Sequence, residues 1–205
     1  MLNVRKYSIA VIALVIAFSF GVLTGCTKTE KSPVLQKTSA DAKHMPEQLK
    51  GTHTVQSVGT IDVAFSPNGG ITAMIVQHLN KTKKSIEVQA YSFTSSDIAK
   101  ALVDAHKRGV QVRVILDKSQ ETEKYSSATF LNNAGIPVHI DRDFQIAHNK
   151  IMILDGIDII TGSFNFTKSA EQANAENCLV IQGNQNLANQ YMKNWEWRWS
   201  ATKDK

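Results

Sequence analysis

The hydrophobic and polar positions of this chain fall into three zones. From about Tyr7 to Leu23 the side chains are almost continuously apolar, and from Thr27 to about His53 they turn to Lys, Thr, Ser, Gln and Pro without periodicity. From Thr54 onward, short apolar runs alternate between strand and helix spacing. A β-prone run from Thr54 to Phe65 stops at Ser66-Pro67-Asn68-Gly69-Gly70, and Ile71, Met74, Ile75 and Leu79 then recur at helical spacing. Ser85 to Phe93 reads as a strand with Ile86, Val88 and Ala90 on one face. Ser96-Asp97 caps a helix from Ile98 to Lys107 that Gly109 closes, and Val110 to Leu116 is strand again. A polar loop over 117–125, a helix over 127–133 ending at Gly135, and a strand over 136–140 follow. Such alternation predicts an α/β layered domain.

Residues 146–177 carry the densest pattern: strand, turn, strand, polar loop. His148 and Lys150 lie two apart in an apolar run, so a strand sends both to the same face. Asp155-Gly156 is a turn signal, Ile157 to Thr161 is a second short strand, and Gly162-Ser163-Phe164-Asn165 follows directly. Beyond Glu176, residues 176–182 form another strand. Asn186 to Trp199 is a helix with Leu187, Tyr191, Trp195 and Trp199 on one stripe, which core packing explains better than base stacking. His139 alternates with Val138 and Ile140 and reads as a strand histidine without a role. Lys118, Lys124, His44 and His53 read as solvated, with substrate phosphate as the other reading for the two lysines.

A lone histidine on an apolar strand is ordinarily part of a core, but the company of His148 reverses that expectation. An imidazole can attack phosphorus, an ammonium and short polar donors can hold phosphate oxygens, and a carboxylate can orient the ring. The string His148-x-Lys150-x4-Asp155-x6-Gly162-Ser163-x-Asn165 resembles the HKD motif of the phospholipase D superfamily. Upstream, residues 105–114 look like that family's helix-to-strand step. Downstream, Glu176-Asn177 and the strand after them are similar to its small single-motif bacterial endonucleases. The resemblance spans roughly residues 54–200 and implies a single domain with a mixed β-sheet flanked by helices.

It also implies roles. His148 would form a phosphohistidine, Lys150 and Asn165 would stabilise the phosphoryl oxygens, and Ser163 would donate a supporting hydrogen bond. Glu176 would hold the His148 ring in the needed tautomer. Gly162 and Asp155 are structural members of the motif, with a general base as the alternative for Asp155. The two-step reaction uses two histidines, yet His78, His106 and His139 lack a lysine two places on. The resemblance therefore implies a homodimer with one site built from both copies. No metal or other cofactor is expected, because ammonium and polar donors clamp the phosphate. The first expectation for activity is an endonuclease on DNA, and on RNA, with little sequence preference. A phospholipid hydrolase is the second and a catalytically silent binding protein the third. No helix-turn-helix or zinc finger is visible, so recognition would fall on the phosphate backbone and be salt-sensitive.

The first zone changes the setting. Arg5 and Lys6 precede the apolar run and small residues follow it, which is signal-peptide grammar. Leu23-Thr24-Gly25-Cys26 further resembles a bacterial lipobox, placing lipid on Cys26; an uncleaved signal anchor is the alternative. The expected organisation is a leader over 1–25, a lipid-anchored flexible tether over 26–53, and a nuclease-like domain over 54–205, exported and held at the bacterial cell envelope by its membrane anchor. Of the 23 basic residues Arg5 and Lys6 leave with the leader, so 21 face 18 acidic ones, an excess that permits a polyanionic substrate without arguing for one. Cys178, in an apolar run, reads as a buried, inert thiol, and no disulfide is expected.

Overall fold

The computed structural model describes residues 44–202; the leader and Cys26 lie outside the described residues. The connections decide the sheet. Strands β2 (Ser85–Ala90), β3 (Gln111–Asp117) and β4 (Val138–Asp141) pair in parallel, because α2 (Ser96–Lys107) and α3 (Ala128–Asn133) carry the chain back between them. Strands β1 (Thr60–Phe65), β5 (Lys150–Leu154), β6 (Asp158–Gly162) and β7 (Asn177–Gln182) pair antiparallel. The result is one mixed seven-stranded sheet in the order β1-β7-β6-β5-β2-β3-β4.

The two-residue alternation along each strand splits the core. One face presents Ile86, Val88, Val114, Leu116, Met152, Ile160 and Val180 to α1 (Ile71–Lys81) and α2. The other presents Ile115, Ile151, Ile153 and Ile159 to α5 (Gln185–Thr202). Trp195 of α5 is fully buried and donates from Nε1 to the Val88 carbonyl at 3.0 Å, so the predicted aromatic stripe is core. That face is also polar: Arg113 lies beneath Trp195 and bonds Glu87 at 3.1 Å and Glu196 at 2.7 Å. Burial pushes the Glu87 carboxyl up even beside this guanidinium. His139 stacks on Trp199 at 3.6 Å and reaches Thr202 Oγ1, so it fastens α5 to β4.

Several local details depart from the sequence expectations. Strand β1 begins only at Thr60, and the cap of α2 is Ser95, whose side chain accepts from Ile98 N. The polar loop after Asn165 contains a short helix, α4 (Lys168–Gln172), capped by Thr167. Glu171 of α4 in turn accepts from Gly70 N and Thr72 N, capping α1 from about a hundred residues away. Residues 44–56 run along α5: Glu47–Leu49 form a 3-10 turn against it, and Asn184 donates to the Gln56 carbonyl. Among the described residues no helix is long and apolar enough to cross a membrane.

Candidate active site

Antiparallel pairing brings the start of β5, the end of β6 and the start of β7 to one end of the sheet, beside the residue that follows β2. There the structure assembles Lys150, the first residue of β5; Ser163 and Asn165, just past β6; Glu176, just before β7; and Tyr91, just past β2. Gly162 permits this crowding, since a Cβ there would meet the Asn177 carbonyl oxygen at 2.3 Å. Asn165 is held by its neighbours: Phe164 and Phe166 are buried, and Phe166 accepts backbone hydrogen bonds from Thr94 and Ser95.

His148 is exposed, and its ring packs edge-on against Tyr91 with centroids 4.8 Å apart. Lys150 Nζ approaches the same tyrosine ring at 5.4 Å. Tyr91 therefore links the two motif side chains, a role no motif spacing announces. The loop carrying His148 is fixed from below. Asp117, at the end of β3 and only 2% exposed, accepts from Ala147 N at 2.7 Å, one residue before the imidazole. Lys118 donates to the Phe144 carbonyl in the same loop, so it braces the site from outside. Lys124 lies over the Tyr125 ring.

The electrostatics are unbalanced in a way that suits an anion. Lys150 is 7% exposed, and its ammonium has no hydrogen-bond partner; Asn165 Oδ1 is likewise buried without one. Unsatisfied buried polar groups are rare in folded proteins, and one beside an open histidine is a natural place for a ligand's charge. Burial pushes the Lys150 ammonium below its ordinary 10.5, with the nearby Glu176 carboxylate pulling the other way. Glu176 itself accepts from Ser163 Oγ at 2.5 Å and Asn174 Nδ2 at 3.0 Å. Its observed partners are thus these two side chains rather than the His148 ring, and Ser163 spends its proton on Glu176 while accepting from Asn177 N. The Cys178 thiol is buried and pushed up to about 12. Among the described residues no group of three or more His, Cys, Asp or Glu side chains is placed to hold a metal ion.

Asp155 sits away from this cluster. With φ of 52° it and Gly156 form the β5–β6 turn, and its carboxylate accepts from the backbone N–H groups of Lys83, Lys84 and Ser85. That geometry ties the β5–β6 turn to the start of β2. Asp155→Ala should cost about 1–3 kcal/mol in urea unfolding by orphaning these donors, while turnover of the folded fraction stays within a few-fold. A loss of turnover of about a hundredfold or more would favour the general-base alternative.

Comparison with known proteins gives a consistent picture. A family model described as "Cardiolipin synthase, PLD-like domain" matches residues 75–199. The chain is 36% identical to a phospholipase D of Rickettsia typhi over 193 residues, covering 93% of this chain and 92% of the relative. It is 34% identical to the mitochondrial cardiolipin hydrolase of Xenopus laevis over 138 residues, 67% of this chain and 62% of that one. Among solved structures, Nuc of Salmonella typhimurium, a phospholipase D family member, superposes with a TM-score of 0.67 at 41% identity, covering 69% of this chain and 95% of Nuc.

Proposed function

The chain belongs to the phospholipase D superfamily, a family of phosphodiesterases, and within it we propose a metal-independent endonuclease that cuts DNA, and RNA, through a phosphohistidine on His148. The observation that carries this reading is the exposed His148 imidazole beside the buried, unpartnered Lys150 ammonium. A phosphodiester entering there would supply the anion that Lys150 lacks. A His148 ring nitrogen attacks phosphorus, the phosphorus–oxygen bond to the leaving strand breaks, and a second imidazole protonates the departing oxygen. That imidazole then takes a proton from water, whose oxygen displaces His148 and releases the phosphomonoester.

The second imidazole comes from a second copy of the chain. Within the described fold His78 is bonded to Asp62, His106 belongs to α2, His139 is stacked under α5, and His44 and His53 lie in the segment along α5, outside the motif. A two-fold pair facing through this end of the sheet would give each His148 one of the two roles. The lipid anchor at Cys26 and the envelope location belong to the same reading and follow from the leader sequence alone.

Nucleic acid is favoured over lipid by the resemblance of the single motif to the small bacterial endonucleases and by the amide-rich approach to His148, where Asn149 and Asn194 line the same cleft. The names of the Rickettsia and Xenopus relatives favour phospholipid as the second reading. One experiment separates them: the full-length chain, in detergent and EDTA, is offered plasmid DNA, single-stranded DNA and cardiolipin or phosphatidylcholine vesicles. Nicking in EDTA that weakens steeply with salt is expected. Cleavage of lipid alone would transfer the chain to the second reading, and activity that appears only with added magnesium would overturn the covalent-histidine mechanism. A fully active monomer in sedimentation would overturn the shared site.

A further inference from the structure

Beside His148, on the α5 face of the sheet, opens a cleft of about 360 Å³. Its walls include Gln89, Phe144, His148, Asn149, Asn194 and Trp197. Gln89, on β2, is 2% exposed, and its Oε1 is buried without a hydrogen-bond partner. A buried acceptor left open is costly unless something fills it, and nothing in the catalytic scheme uses this one. The cleft offers no surplus positive charge to a phosphate: Arg198 beneath it is paired with both Asp141 and Asp143. Its lining combines the carboxamides of Gln89, Asn149 and Asn194 with the rings of Phe144 and Trp197, which are in edge-to-face contact and each take the Arg198 guanidinium over the ring.

We propose that this cleft is a nucleobase pocket for the nucleotide next to the scissile phosphate, with Gln89 Oε1 accepting from the base's exocyclic amino group. The proposal rests on the nucleic-acid reading above and deepens it. A planar, neutral heterocycle with hydrogen-bonding edges matches carboxamides and an aromatic wall, as unpaired bases do in proteins that read single strands. Because the buried, unpartnered atom is an acceptor, adenine and cytosine, which project an amino group, fit better than thymine, which projects a carbonyl oxygen there. The base must leave its stack to enter, so single-stranded substrate is preferred. The division of labour follows the sheet: Lys150 meets the phosphate where β5 begins, and Gln89 meets the base on the α5 face.

The test uses the full-length chain and oligothymidylates carrying one central adenosine, cytidine or abasic residue. Wild type should cut beside adenosine or cytidine roughly tenfold faster than beside thymidine, with the abasic site slowest. Gln89→Met, which keeps the side chain's length and removes the open acceptor, should melt no lower than wild type and bring the adenosine-to-thymidine ratio to about one. Trp197→Leu should bring all base-bearing sites toward the abasic rate. Equal cutting at every site by wild type, or an unchanged ratio in Gln89→Met, would overturn the pocket while leaving the nuclease standing. Failure of wild type to cut any oligonucleotide, with lipid hydrolysed, would overturn both.

Discussion

His148→Ala is expected to lower phosphodiester cleavage by roughly 10⁴-fold or more, because both chemical steps pass through this imidazole. Among the described aromatic rings the exposed imidazole touches only Tyr91, and the substitution removes little buried surface, so the variant should melt with wild type. Loss of activity can then be assigned to chemistry. A labelled oligonucleotide supplies a second readout: rapid denaturation at alkaline pH should leave the phosphoryl-bearing half covalently attached to wild type and not to the variant. In a shared dimeric site the substitution deletes nucleophile and general acid together, so mixed dimers carrying one His148 should also be nearly silent. Residual cleavage within about tenfold of wild type, or no covalent adduct in wild type, would remove His148 from the nucleophile's position.

The fold was legible where local pattern and tertiary packing agree. Ile71, Ile75 and Leu79 on α1, the alternation in β2, and the Leu187–Trp199 stripe all bury the faces their spacing points inward. What was not legible was every contact made across long sequence separation. The start of α1 has no capping side chain of its own, and only folding brings Glu171 to it. Asp117 read as the start of a surface loop, yet it is buried because Ala147 N needs an acceptor there. The motif spacing likewise placed His148, Lys150, Ser163 and Asn165 at one sheet end, but it could not show that Glu176 accepts from Ser163 and Asn174 or that Tyr91 stands between histidine and lysine. Gln89 alternates with Val88 and Ala90 and carried no chemical signal; its interest comes solely from an unmet acceptor.

Lys150→Met should separate the stability of this fold from its function most clearly. The folded state holds the ammonium below its ordinary 10.5, chiefly through burial, so between that lowered value and 10.5 the unfolded chain binds more protons than the folded one. Stability at Lys150 therefore rises with pH across this window, and the full penalty is present at neutral pH, where both states carry the charge. Methionine removes the penalty at similar length, so Lys150→Met should unfold at higher urea than wild type near pH 7, with the advantage shrinking as pH approaches 10.5. Catalysis moves the other way. Loss of the cation that meets the phosphoryl oxygens should cut kcat/KM by about 10²–10³-fold. In wild type, kcat/KM should fall on the alkaline side at a pH below 10.5, as the ammonium is lost, and Lys150→Arg should move that limb upward. Inorganic phosphate should raise the melting temperature of wild type by binding the folded state and leave Lys150→Met unmoved. A Lys150→Met variant that is less stable near neutral pH, or that keeps the phosphate-induced stabilisation, would mean that the ammonium has a partner within the fold and is not held open for substrate.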